Sequence, residues 1–346
     1  MTRREVLAFA GAGGALVAMG GCMKWATPPP LLDPKDRPWQ SPHGLDHPLL
    51  GQCVEPGRGP NIGSIEIGRR LADTRFVLLG ETHDNPDHHV LQAEAIRAIA
   101  DAGRRPAVLF EMISEEQGPA LARYLAAHPK DAAGLGAAIG WEKSGWPDWS
   151  IYRPIAETAM AFGLPILPAN LDRKTVRALV RPETGDGGHA DLRQRLGLDS
   201  PLPPFLDSSL RREISEAHCG YVDEGAMDGM VLGQRARDAY MAEQLLKAAA
   251  DDGAILIAGA GHVRTDRGVP YYLERLSPTS NQLSLAFIEV AEDRQSLGDY
   301  APAKDEEKLP YDLVYFTPRI DARDPCERFK EQLEKMKRPK QSTMIG

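Results

Sequence analysis

The sequence predicts an α/β fold of three layers, with a mainly parallel central sheet and a helical lid insertion. Short apolar, β-branched runs alternate with helical stretches through residues 49–318, the pattern of strands joined by crossover helices. Each run is apolar without alternation, as expected of a strand covered on both faces. With 346 residues, 42% of them hydrophobic, the chain is long and apolar enough to bury a core of that size.

Taken in order, residues 1–22 read as an export signal: Arg3-Arg4, an apolar Gly/Ala-rich run from Val6 to Gly21, then Cys22. The run is too short to span a bilayer. Thr2-Arg3-Arg4-Glu5-Val6-Leu7 resembles a twin-arginine signal, and Met19-Gly20-Gly21-Cys22 resembles a lipobox whose Cys22 is acylated after cleavage. An ordinary cleaved signal peptide is the alternative, and either places the mature protein in the cell envelope, outside the cytoplasm. Residues 23–48 carry Pro28, Pro29, Pro30, Pro34, Pro38, Pro42 and Pro48. That density favours an extended spacer between a membrane anchor and the domain.

Strands are expected at 75–79, 107–110, 164–167 and 254–258, with 283–290 and 312–316 extending the sheet in antiparallel fashion. Asn85, Pro86 and Asp87 form a helix start, by capping, fixed φ and favourable charge, and Gly103 ends that helix. A long helix is expected over 227–250, and short helices over 115–162, rich in Trp141, Trp146, Trp149 and Tyr152, form the lid. The Gly/Pro-rich stretch 181–204 reads as a mobile loop. In the tail, residues 319–346, Asp324-Pro325 starts a helix that docks through Phe329, Leu333 and Met336.

The formal charge of −8 and the absence of a concentrated basic surface argue against nucleic acid as a partner. Cys22, Cys53, Cys219 and Cys326 form no CxxC pair, so no thiolate zinc knuckle is expected; one disulfide among the last three is open. No HExxH, Walker-A, GxSxG or GxGxxG element is present.

In an open α/β sheet, ligands bind beyond the carboxyl ends of the strands. The first strand is followed by Gly80-Glu81-Thr82-His83-Asp84, the second by Glu111, the third by Asn170 and Asp172, the fourth by Gly259-Ala260-Gly261-His262. Glu81 and His83, two apart in an extended turn, can face one side. His262 follows a glycine turn whose N–H groups form a small anion nest. Glu111, costly to bury alone, pairs either with a site histidine or with an arginine such as Arg237. His218 ends a helix near the same mouth, while His88 and His89 read as mostly solvated. Removing Glu81 and His83 together is expected to abolish ligand or metal binding and leave thermal stability nearly unchanged.

Several motifs together carry a family likeness: Leu78-Leu79-Gly80-Glu81-Thr82-His83-Asp84-Asn85, Trp149-Ser150-Ile151-Tyr152-Arg153-Pro154-Ile155, Pro168-Ala169-Asn170-Leu171-Asp172-Arg173, Gln234-Arg235-Ala236-Arg237-Asp238, the run from Gly259 to Pro270, and the run from Tyr311 to Pro318. In this order and spacing the chain resembles the ChaN family of haem-binding lipoproteins, within a superfamily that includes Tiki-type metal-dependent proteases and erythromycin esterases. The resemblance implies a three-layer α/β fold, attachment to the bacterial surface, haem binding linked to iron uptake, and a homodimer holding haems between subunits. It maps the superfamily's polar centre onto Glu81, His83, Glu111 and His262. Ala260 stands where an asparagine is expected. It also implies a tyrosine haem ligand, for which Tyr152, Tyr221 and Tyr240 are the candidates beside His83, His218 and His262. Segments 141–152 and 226–232 would wall the haem.

Two functions compete: a lipid-anchored haem-binding protein, and a metal-dependent hydrolase. In the second, Glu81, His83 and His262 hold Mn, Zn or Co and Glu111 is the general base.

Overall fold

The computed structural model describes residues 38–58, 61–181, 189–301, 308–324, 326, 327, 329–331 and 334. The export signal with Cys22 lies outside the described residues, as do most of the proline-rich stretch, Leu333 and Met336.

Seven strands form one sheet: β1 (Cys53–Val54), β2 (Phe76–Glu81), β3 (Ala107–Ser114), β4 (Ile166–Asn170), β5 (Ala254–Gly259), β6 (Gln282–Glu289) and β7 (Leu313–Thr317), in the order β1-β7-β6-β2-β5-β3-β4. Among the described residues the helices around them are α1 (Ser64–Asp73), α2 (Pro86–Asp101), α3 (Gly118–Ala127), α4 (Leu135–Ala138), α5 (Trp149–Ala161), α6 (Arg173–Val180), α7 (His189–Arg195), α8 (Pro204–Ala217), α9 (Glu224–Ala248) and α10 (Val269–Leu276), with further helical residues at 326, 327, 329–331 and 334.

The layers follow from side-chain alternation. Val77 and Leu79 of β2 pack with Leu91, Ala95 and Ile99 of α2 and Ile155 of α5. Phe76 and Leu78 point the other way, toward Leu179 of α6, Ala236 and Met241 of α9 and Leu273 of α10. Both faces of the strand are buried, which is why the run reads as continuously apolar.

The expected antiparallel extension is corrected: β6 pairs parallel with β2, and β7 parallel with β6. The antiparallel strand is β1, whose Cys53 and Val54 lie opposite Tyr315 and Val314 at the sheet edge. Two residues are too few to leave a periodic signal.

Asn85 caps α2 by accepting from the Asp87 N–H at 2.9 Å, as its sequence requires. Asp87 is spent differently, accepting from the backbone of Gln40 and Ser41 at 3.0 and 2.8 Å. With Ser41 buried and His43 bridged to Arg319, the end of the proline-rich stretch is sewn onto the domain. The stretch 181–204, expected to be a loop, contains α7.

Cys219 and Cys326 form a disulfide across a sequence separation of 107 residues, and Cys53 is a buried free thiol. Phe329 packs against His218 and Tyr221 beside that bridge. Closing so long a loop restricts the unfolded chain, so Cys326→Ser is expected to lower stability by about 2–4 kcal/mol. Urea unfolding with and without reductant reads it; identical midpoints for the two proteins would refute it.

Candidate functional site

The carboxyl ends of β2, β3 and β5 meet at one place because β5 pairs with both β2 and β3 in parallel register. Glu81 and Gly259 are register partners. A Cβ built on Gly259 would lie 2.9 Å from His83 Nε2, so a larger residue would push the ring away, while Glu111 Oε2 at 3.7 Å is in ordinary contact range.

Glu81 has a fully buried side chain. Its Oε1 accepts from the Tyr152 hydroxyl at 2.7 Å and faces His83 Nδ1 at 2.9 Å, while Oε2 lies 3.2 Å from His89 Nδ1. Burial raises this carboxyl, but His89 and His83 outweigh burial and hold it well below the ordinary carboxylate range. The same carboxylate, together with burial, raises the Tyr152 phenol. His83, its side chain one-third exposed, is the open member of the group. Burial lowers its imidazole, and Glu81 and Glu111 more than reverse this.

The second half of the site surrounds His262, on a short 3-10 turn after β5. Its Nε2 lies 3.1 Å from Glu111 Oε1 and its Nδ1 2.5 Å from Asp238 Oδ1. Gln234 of α9 touches the same ring at 3.1 Å. Burial opposes charge on His262, and the two acids overcome it, raising the imidazole. Glu111 falls to about 2, since His262, His83 and the Gly259 N–H outweigh burial. Asp238 moves the other way: burial raises it more than His262 lowers it. Glu111, His262 and Asp238 form one coupled group in which the two acids flank opposite nitrogens of the ring.

Glu81, His83, Glu111 and His262 thus converge. Of the two partners open for Glu111, the histidine is the one found. The N–H of Gly259, first of the glycine turn expected to cradle an anion, is taken by Glu111 Oε2 at 2.8 Å. Tyr152 is buried among Trp141, His89 and Glu81, and Tyr240 is buried with its hydroxyl on Glu115 at 2.7 Å. Tyr221 is 59% exposed. His218 bonds Ile214 O within its own helix at 2.7 Å and lines a neighbouring cleft.

His88 and His89, expected in solvent, are fully buried. A helix starting at the carboxyl edge of a sheet points its first turn into the site. His88 Nδ1 accepts from the Thr82 N–H at 2.8 Å, so Nε2 carries the proton toward Thr317 Oγ1 at 2.7 Å. Burial lowers that imidazole to about 3, and it clamps the ends of β2 and β7 as a neutral ring. Asp238 and Gln234 were also missed as site residues, although their spacing of four on a helix puts them on one face.

The donor set does not suit a divalent ion. Among the described residues no three His, Cys, Asp or Glu side chains converge to hold one. Glu81 Oε1 and Glu111 Oε2 are taken by Tyr152, His83 and the Gly259 N–H, and both ring nitrogens of His262 face carboxylates. The buried Glu81 Oε2, which among the described residues accepts no hydrogen bond, faces His89 Nδ1.

Two clefts open beside the centre. The first, about 670 Å³, reaches from Glu111 and Asn170 to Trp146 and Lys143 of the lid segment. Trp146 also packs on His83, 4.8 Å between ring centroids. The second, about 600 Å³, lies between α6, α8 and α9, with walls that include Val176, Val180, Ile214 and Met230. Arg173 and Arg237 line both.

Among solved structures, the chain is similar to one described as cofacial heme binding to ChaN of Campylobacter jejuni, at TM-score 0.56 and 19% identity over 73% of this chain and 91% of the other. It is more distantly similar to a mutant of the erythromycin esterase EreC in its open conformation, at TM-score 0.41 and 14% identity over 76% and 95% of the two chains. The type III effector HopBA1 stands at TM-score 0.40 and 16% identity over 77% and 97%. No curated protein matches the sequence. The family described as haem-binding uptake, Tiki superfamily, ChaN matches residues 67–273, and the chain belongs to that family.

Proposed function

We propose that the chain is a haem-binding protein of the cell envelope, serving haem or iron uptake and anchored by acylation of Cys22. One observation carries the haem reading: two clefts of about 670 and 600 Å³ share Arg173 and Arg237 in their walls, and Trp146 of the first packs on the one-third-exposed His83. Their size and mixed lining suit a large amphipathic cofactor. Met112, Ile139, Trp146 and Leu171 offer apolar wall in the first cleft. His83, with its Nδ1 on a carboxylate, has the arrangement that orients a ligating imidazole. His218 at the second cleft and Tyr221 near it are the other candidate ligands. When bound, haem would supply an iron that takes an axial donor from the protein. The envelope reading is supported by the lipobox-like sequence and by the Cys219–Cys326 bridge, which persists in an oxidising compartment.

Titration of the full chain in detergent with haemin is expected to give a saturable Soret band. That band should shift or vanish in whichever of His83→Ala, His218→Ala and Tyr221→Phe removes the iron ligand. No saturable band in the wild type would refute the reading. Sedimentation of the loaded protein reports whether two chains share the ligand, and fatty-acid labelling lost in Cys22→Ser tests the anchor.

A second reading, hydrolysis by general acid–base chemistry, is favoured by the two carboxylate–imidazole pairs meeting at Gly259.

A further inference from the structure

Arg173 and Arg237 are the residues common to both clefts. Arg173 is the first residue of α6, and its guanidinium donates to the Ser144 carbonyl of the lid segment at 2.5 Å. Arg237 is half-buried on α9, three residues beyond Gln234, whose amide touches His262 at 3.1 Å. Among the described residues neither arginine has a carboxylate at ion-pair distance. Other arginines of the domain do: Arg70 bonds Glu55 and Glu66, Arg211 bonds Asp207 and Asp228, and Arg264 bonds Asp266.

Acids of the clefts are committed elsewhere. Glu111 holds His262, Asp228 holds Arg211, and Asp172 caps α6 by accepting from the Lys174 and Thr175 N–H groups. Glu116 remains, exposed at the rim of the first cleft. Arg173 is exposed and Arg237 half-buried; guanidinium groups at a cleft wall without a counter-charge are open to an anion, and a planar fork of donors suits a carboxylate. In a chain of net charge −8, a cationic junction of this kind selects an anion against the field of the whole protein.

We propose that Arg173 and Arg237 form a clamp for the two carboxylates of one ligand whose apolar body lies against the cleft walls. This rests on the haem reading, in which those carboxylates are the propionates.

The test compares haemin with its dimethyl ester, which keeps the iron and macrocycle and lacks both charges. Each is titrated into the full chain in detergent and followed by the Soret band. Wild type is expected to bind haemin on the order of 100-fold more tightly than the diester, as two charge-assisted contacts would give. Arg173→Ala/Arg237→Ala should abolish the preference, so that haemin binds no more tightly than the diester. Arg173→Lys/Arg237→Lys should keep part of the preference. Equal binding of both porphyrins by wild type overturns the clamp, as does a double variant that weakens both alike. Absence of binding of either porphyrin overturns the haem reading itself, a different result from loss of the preference.

Discussion

Replacing Glu81 with alanine is expected to lower the free energy of unfolding by about 3–5 kcal/mol, the cost of removing one partner from a buried charged network. The substitution strips the nearer of two acceptors from the fully buried Tyr152 hydroxyl, leaving the His83 carbonyl at 3.2 Å, and the facing carboxylate from fully buried His89. It also leaves a void at a strand end where nothing is exposed to refill it. The sequence, by contrast, presents Glu81 and His83 as rim residues whose joint loss costs little stability. The full burial of the Glu81 side chain argues for a different expectation at that position. His83→Ala, at a side chain one-third exposed, is expected to cost under about 1 kcal/mol. Urea unfolding of the two single variants separates them, and an alanine at position 81 as stable as wild type would show that the network contributes nothing to folding.

The second large effect belongs to His262→Ala. Without the imidazole, Glu111 and Asp238 face each other in the interior with no cation between them. Destabilisation of about 3–5 kcal/mol is expected at neutral pH, and the pH profile identifies its cause. In the variant both acids have folded values above their unfolded ones, so stability is present in acid and lost as pH rises past about 4 to 5. Of the two acids only Asp238 is raised in wild type, to about 6, and Glu111 and His262 behave otherwise. Glu111, depressed to about 2, contributes stability above its ordinary 4.5 that is lost as pH falls toward 2. His262, raised from 6.5 to about 10, contributes stability below 6.5 that is lost as pH climbs toward 10. A variant with the wild-type profile, merely displaced, would sink the charge argument and leave only a packing defect.

Strand positions were legible because four apolar runs are long enough to show burial on both faces, and the site followed from the polar residues that end them. Glu81, His83, Glu111 and His262 come from three strands that are distant in sequence, and the rule about carboxyl ends was enough to group them. Asp238, Gln234 and His89 were not assigned to that centre because helices deliver them, and Tyr152, also on a helix, was singled out only as a candidate haem ligand. A helix residue shows its face through periodicity, but which helix packs over which strand end is decided by tertiary contacts with no local signature. The pairing of Glu111 stayed open for the same reason. His88 and His89 look like a solvated first turn unless the helix is known to begin inside a cavity. The direction of β6 and β7 could not be read either, since an apolar run is the same in both orientations.

The cysteines make the order of folding events matter. In an oxidising compartment Cys53, Cys219 and Cys326 can join in more than one way, and in an unfolded chain the shorter loop favours the pair found only slightly. Cys53 sits in β1 under Tyr315, and burial, partly offset by Arg70, pushes its thiol up to about 12. Thiolate is the species that attacks a sulfur bridge, so a folded sheet edge silences Cys53 and leaves one partner for each remaining cysteine. A chain that oxidises before β1 docks would instead sample wrong links, and its recovery in correct form should depend on an isomerase, whereas a chain folded first should need only an oxidant.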